Sequence, residues 1–192
     1  MEANPDLPVV EMDTVKGGRN KGKVFLTMIF RRTSFMLIFL MNDGTQDSVI
    51  QIFDSLTEIL GVSLFKRLFP VILTDNGVEF KNPQALEHTR TGLSRTRVFF
   101  CDPQASWQKP QVENNHHLIR RILPKGVSFS PLTVADVTLI CCHINSVLRE
   151  NLDNKTPLDL MDSKDGKKLL SLLQLSPIPP DEVTLSPKLL KR

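Results

Sequence analysis

Residues 71–80 read VILTDNGVEF. A run of β-branched and aliphatic side chains ends in Thr74-Asp75-Asn76-Gly77, so the stretch predicts a short buried strand that stops in a turn. Asp75 then stands at the carboxyl end of a strand, where open α/β sheets bind their ligands. Asp, Asn and Gly also favour turns for reasons of backbone conformation alone. What flanks the stretch decides between a plain turn and a site.

On the amino-terminal side, residues 46–60 carry Val49, Ile50, Phe53, Leu56 and Leu60 at helical spacing, with Thr45 as N-cap. Three strands precede that helix, at residues 9–15 (VVEMDTV), 24–30 (VFLTMIF) and 35–41 (FMLIFLM). Short connections make them an antiparallel meander, closed by Asn42-Asp43-Gly44. The Gly-rich basic turn at 16–23 (KGGRNKGK) has no following GK[ST] sequence, which argues against a nucleotide P-loop. Asp13 falls inside the first strand, where Asp is depleted.

On the carboxyl-terminal side, a weakly patterned helix at 83–91 leads to a strand at 97–101 (RVFFC). A loop from 105 passes into a helix that starts near Gln111 and stops at Pro124. A last long helix spans 132–149, with Val134, Val137, Cys141, Ile144 and Leu148 as its buried stripe. The order β-β-β-α-β-α-β-α-α predicts an α/β fold, a mixed five-stranded sheet with helices on both faces. Residues 1–160 are read as one domain. Residues 161–192 are read as a carboxyl-terminal extension ending in a partly flexible, Pro-rich tail, LSPIPPDEVTLSPKLLKR.

Composition narrows the class. A hydrophobic content of 41% and a charged content of 23% are those of a soluble globular protein. Cys101, Cys141 and Cys142 form no CxxC pair, which argues against zinc and for reduced thiols in a cytoplasmic protein. The acidic start MEANPDLPVVEMD is no signal peptide, and Arg31-Arg32 interrupts the longest apolar region, so no membrane span is expected. The net charge of +3 is unevenly spread. Residues 81–125 hold eight Lys/Arg against three Asp/Glu, so the positive charge follows directly after Asp75. A basic stretch beside carboxylates suits a polyanionic partner, although a solvated face has the same composition.

Three carboxylates stand out. If the first and fourth strands are neighbours, Asp13 and Asp75 face each other, and a helix packed on that edge supplies Glu113. Oxygen-only ligands of this kind suit Mg²⁺ or Mn²⁺. Two such ions roughly 3.5–4 Å apart hold the attacking and leaving oxygens of an in-line phosphoryl displacement. His116, His117 and Arg120 share the helical face of Glu113, with Arg121 at its edge. Imidazole is a poor ligand for Mg²⁺, so the histidines are read as ordinary polar side chains of an exposed helix rather than as ligands. Trp107 either anchors its loop in the core or stacks on a flipped base; core anchoring is the expectation. Glu79 and Asp102 are rival carboxylates, the first at the edge of the site and the second a turn cap.

The set MDTVKGG, LTDNGVEF, FFCDPQASWQKPQVENNHHLIRRILPKG and LRENLDNKTPLDL resembles the catalytic core of bacterial insertion-sequence transposases of the DDE integrase type, the insertion sequence thirty group. The likeness runs from about residue 9 to about residue 160. It implies an RNase H-like fold, a DDE triad of Asp13, Asp75 and Glu113, and two Mg²⁺ or Mn²⁺ ions. It implies cleavage at the ends of a mobile element, then attack of the freed 3′-hydroxyl on target DNA by a homo-oligomer in the bacterial cytoplasm, on the nucleoid. By position in the motifs, Asn76, Gln108, Lys109, Asn114, His117, Arg120 and Arg121 are the implied DNA contacts. The chain departs from the group in three ways. Asp75 and Glu113 are separated by 37 residues, a longer interval than usual; Pro110 stands where Gly is expected; and no amino-terminal helix-turn-helix region precedes the first strand. The same residues leave two other readings open, a metal-dependent nuclease of this fold and a non-catalytic DNA-binding remnant.

Overall fold

The computed structural model describes residues 7–18, 22–102 and 105–190, with residues 106 and 113 described by their backbone alone. Strands β1 (Val9–Lys16), β2 (Val24–Phe30) and β3 (Met36–Met41) form the antiparallel meander. Strand β4 (Val71–Thr74) runs parallel to β1, and β5 (Arg97–Phe100) runs parallel to β4. The five strands lie in the order β3-β2-β1-β4-β5. The predicted α/β mixed five-stranded sheet is therefore the one observed.

Helices cover both faces. One layer is α1 (Gln46–Leu60), α2 (Val62–Leu68) and α6 (Lys164–Leu172); there Phe53, Phe65, Phe69 and Leu169 pack on Val10, Met12, Leu26 and Met28. The other layer is α4 (Pro110–Ile122) and α5 (Val134–Asn145); there Val112, Ile119, Ile140 and Ile144 pack on Val15, Phe25, Ile29 and Ile38. All seven residues of β2 are buried, as a strand covered on both sides requires.

Four helical readings need correction. Helix α2 escaped the sequence reading because two turns after a left-handed Gly61 (φ 75°) are too short to show a period. Helix α3 (Pro83–Glu87) stops before the expected Thr91, because His88 is extended and bridges to Ser94. Helix α5 starts at a Thr133–Asp136 capping box and ends at Ser146 rather than near Arg149. Val134 and Leu148, expected in its buried stripe, are 72% and 58% exposed. Beyond residue 160, the backbone N–H of Ile178 donates to Ser146 Oγ (2.9 Å) and that of Thr184 to His143 Nδ1 (3.1 Å).

Two buried polar side chains tie elements together. Asn145 of α5 reads the free edge of β3 as a strand would, accepting from Met36 N (2.8 Å) and donating to Met36 O (2.7 Å). Arg95, fully buried, donates to Ala85 O, Leu86 O, Thr57 Oγ1 and Asp54 Oδ1 and stands over the Phe53 ring at 5.4 Å. Among the described residues no single helix is long and apolar enough to cross a membrane.

Candidate active site

The register of the sheet assembles the first two carboxylates. Parallel pairing sets Val9 beside Val71, Val10 beside Ile72 and Glu11 beside Leu73. The same offset carried two residues further puts Asp13 beside Asp75, where β4 gives way to its turn. Successive side chains alternate across a strand, so Glu11 and Asp13 share the face covered by α4. Asp13 Oδ1 accepts from Thr14 N (2.7 Å), and Asp75 Oδ1 from Gly77 N (2.9 Å). The remaining oxygens converge on one donor: Lys109 Nζ lies 3.2 Å from Asp13 Oδ2 and 3.3 Å from Asp75 Oδ2. That ammonium also donates to Met12 O at 3.3 Å. Burial pushes the Asp13 carboxyl above its ordinary range; the Lys109 charge opposes the rise and the Asp75 charge adds to it.

Helix α4 is fastened to the same strand. Glu11, with no exposed surface, accepts from the backbone N–H groups of Gln111 and Val112, both at 3.0 Å. Those are orphan donors of the first turn, where a carboxylate also meets the positive end of the helix dipole. Pro110 opens the helix at a position that has no need of an N–H. Arg31 closes the clamp, its Nε donating to Glu11 Oε1 (2.8 Å) and its NH2 to Gln108 O (2.6 Å). The backbone of Glu113 thereby lies in the first turn of α4, fixed against β1.

One and two turns further, His116 and Arg120 point inward. Thr27 Oγ1 donates to Asp13 O (3.1 Å), so it accepts from His116 Nε2 at 2.9 Å, which assigns the Nε2–H tautomer. Burial, with the Lys109 and Arg120 charges, lowers the His116 pKa to about 4, leaving a neutral imidazole. Arg120 NH2 donates to Lys16 O (2.8 Å), and its buried NH1 finds no protein partner among the described residues. Asn114, His117 and Arg121 are exposed on the outer face of α4, so the two histidines do not share a face. Asn76 is exposed beside Asp75 and donates to Cys101 O (3.2 Å). Gln108 and Asp102 bond each other twice, Asp102 N to Gln108 Oε1 (2.9 Å) and Gln108 Nε2 to Asp102 Oδ2 (2.8 Å).

Trp107, expected in the core, is 74% exposed. Three contributors were missed by the sequence reading. Glu11 lies two residues before Asp13, so strand alternation alone puts it on the same face. Arg31 and Thr27 carried no such signal, because their roles arise from cross-strand register and from the docking of α4. Glu79 is buried at the margin, accepting from Thr14 Oγ1 (2.8 Å). A Cβ on Gly77 would fall 2.8 Å from Glu79 Oε2 and 3.0 Å from Asp75 Oδ1, so only glycine leaves both carboxylates where they are. Among the described residues no three His, Cys, Asp or Glu side chains gather as a ready metal-binding group.

The chain matches no protein-family model. It is 31% identical over 153 residues to the transposase InsI of insertion sequence element IS30C from Escherichia coli (strain K12), covering 79% of this chain and 37% of that protein. The transposase of insertion sequence element IS1086 from Cupriavidus metallidurans is 30% identical over 151 residues, covering 79% and 42%. The chain thus spans well under half the length of these relatives. Among solved structures, the HTLV-2 integrase catalytic core domain in complex with magnesium superposes with a TM-score of 0.56 at 17% identity, over 80% of this chain and 95% of that one. A chain of the simian T-cell lymphotropic virus intasome, solved with PP2A regulatory subunit B56 gamma, gives a TM-score of 0.62 at 20% identity, over 90% and 57%. The fold is that of the integrase catalytic cores, RNase H-like.

Proposed function

We propose that this chain, a homologue of the IS30-group insertion-sequence transposases, is a DDE transposase core that cleaves DNA at mobile-element ends and joins the freed 3′-hydroxyl to target DNA. The observation that carries the reading is the pairing of Asp13 and Asp75 on neighbouring strands around a shared ammonium, with the first turn of α4 clamped to the same strand.

The two carboxylates fit a divalent cation. They are hard oxygen donors, and each already has an oxygen within 3.3 Å of one positive charge. Asp13, Asp75 and Glu113 are the proposed ligands of Mg²⁺ or Mn²⁺, two ions in the complete site; a solved integrase core of the same fold is a magnesium complex. Bound there, the metal supplies Lewis acidity to the phosphodiester and lowers the pKa of the attacking water or hydroxyl.

The protein's own groups do the rest. Lys109 is the nearest cation to the paired carboxylates and is proposed to hold a non-bridging oxygen of the scissile phosphate. Asn114, His117 and Arg121 lie three, four and seven residues apart, so they form one exposed stripe of α4, proposed to follow the DNA backbone. Asn76, next to Asp75, Gln108, next to Lys109, and Arg120, which also ties the helix to Lys16 O of β1, are proposed as further DNA contacts. No covalent enzyme intermediate is required. In this reading residues 1–160 are the core and 161–192 its extension, and the protein acts as a homo-oligomer on the bacterial nucleoid, in the cytoplasm.

The test is a nicking and strand-transfer assay on a labelled duplex with a pre-cut 3′ end in Mn²⁺. Wild type is expected to give both products, and Asp13→Asn and Asp75→Asn, neither. Nicking without joining supports a nuclease instead, and DNA binding without any cutting supports a non-catalytic remnant.

A further inference from the structure

Beside the paired carboxylates lies a cleft whose aromatic wall the chemistry above does not use. It lies between β5 and the start of α4, has a volume of about 430 Å³, and is walled by Trp107, Phe99, Leu73 and Pro110, with Arg31 and Asp102 among its polar lining. That volume is within the range of small-ligand sites. Its position is set by the sheet. Glu11, Leu73 and Phe99 form one row across β1, β4 and β5. The Asp13 and Asp75 row lies two residues further along the same strands, on the same face.

Trp107 is unusual in being both exposed and braced. Its side chain is 74% exposed, and Phe99 opposite is 44% exposed. Yet the turn that carries it, Ser106–Gln108, is held on three sides. Gln108 N donates to Ala105 O (3.0 Å), the Gln108 amide is paired twice with Asp102, and Gln108 O takes a hydrogen bond from Arg31. Large aromatic side chains are ordinarily mostly buried. The backbone that carries the indole is held while the ring keeps its surface in water, which is the arrangement of a preorganised platform.

Two observations name the occupant. Lys109, two residues on, touches both Asp13 and Asp75, so whatever rests on Trp107 lies next to the reacting phosphate. Arg31 lines the cleft and Lys109 follows Gln108 of its wall, so cations able to meet a phosphate backbone stand beside the aromatic rings. A base inside a duplex is covered on both faces by its neighbours and the last pair of a blunt end on one, whereas an unpaired base can offer both faces to aromatic rings. We infer that Trp107, with Phe99, stacks an unpaired DNA base beside the scissile phosphate. The inference rests on the DNA-processing reading above and adds that the strand end is opened before it reacts.

Trp107 is the single tryptophan of the chain, so intrinsic fluorescence reports on this site alone. The full chain is titrated at low salt with a blunt duplex, a duplex bearing a single-stranded 3′ overhang, and the same overhang made abasic, with binding followed separately by anisotropy of a labelled strand. Quenching by the overhang, but not by the blunt or abasic DNA, is expected. Trp107→Ala is expected to weaken overhang binding about 5- to 150-fold, the loss of one base–aromatic stack, and to leave blunt-duplex binding unchanged. Trp107→Phe should recover part of the loss, and Phe99→Ser should reproduce part of it. Circular dichroism of each variant controls for folding, to which an exposed side chain contributes little. Equal quenching by abasic DNA, or unchanged overhang affinity in Trp107→Ala, overturns the platform and leaves the DNA reading standing. Concentration-dependent quenching without DNA assigns Trp107 to a protein contact and also overturns it. No DNA binding at all by the wild type removes both.

Discussion

Replacing Glu11 with alanine should loosen the site from behind. The carboxylate is fully buried and accepts three hydrogen bonds, from Arg31 Nε at 2.8 Å and from the Gln111 and Val112 N–H groups at 3.0 Å. Arg31 is one-third exposed and rehydrates when its partner is removed, so its share of the loss is small, about 0–1 kcal/mol. The buried Val112 amide cannot rehydrate and costs about 1–3 kcal/mol when unsatisfied. Loss of the cap itself adds about 1 kcal/mol. The sum is roughly 3 kcal/mol, which in a chain of 192 residues is a fall in Tm of about 6–12 °C. Glu11→Gln keeps the shape and one acceptor but not the charge, and should cost about 1–2 kcal/mol. Urea denaturation and thermal melts measure both. At temperatures where each variant is folded, the proposed strand-cleavage activity should fall with the same ranking, because the first turn of α4 carries Glu113, a proposed metal ligand. A Glu11→Ala protein within about 0.5 kcal/mol of wild type would refute the clamp. So would a pair of variants that lose stability equally, since the charge would then be irrelevant.

Other expectations follow from the same geometry. Lys109→Met removes a cation that competes for the paired carboxylates, so Mn²⁺ affinity measured by calorimetry without DNA should rise about tenfold, or about 1.4 kcal/mol; unchanged or weaker affinity contradicts this. For His116 the folded pKa is about 4 against 6.5 unfolded, so the unfolded chain binds the extra proton between those values. Stability from this group is present above pH 6.5 and is lost as pH falls towards 4, by roughly 2–3 kcal/mol. Urea midpoints of wild type and His116→Asn should therefore converge at acid pH. Gly77→Ala has an unstrained φ of −54° but crowds the Glu79 and Asp75 carboxylates, so activity should fall while stability stays within about 1 kcal/mol; full activity in the variant refutes the crowding. Arg95→Met leaves the Ala85 and Leu86 carbonyls unpaired and should cost about 3 kcal/mol by urea denaturation, far more than Arg90→Met, whose side chain is 82% exposed.

Much of the architecture was open to reading because it follows from local rules. The limits of β2 and α1 coincide with their apolar patterns, and the turn after Thr74 stands where Asp-Asn-Gly predicts it. Placing Asp13 beside Asp75 needed only the strand order, since parallel pairing then carries the register forward. The histidine pair shows where spacing fails. Residues one apart on a helix differ by about 100°, and only the docked surface of α4 decides which of them turns to Thr27. Trp107 fails for the opposite reason. Size and apolarity argue for burial of any indole, and nothing local to SWQ says that the segment follows the edge strand β5 on the side where Phe99 also stays exposed.

The sequence by itself determined the strands, the main helices, the motif that places Asp75 at a strand end, and the candidate carboxylates, because backbone propensity, hydrophobic period and turn chemistry act over a few residues. Only the tertiary structure decided that Lys109 stands between Asp13 and Asp75, that Glu11 and Arg31 hold the helix bearing Glu113, and that Trp107 faces solvent. Those depend on contacts between residues 20 to about 100 positions apart, whose distances are set when sheet and helices pack and by no interaction within any one segment.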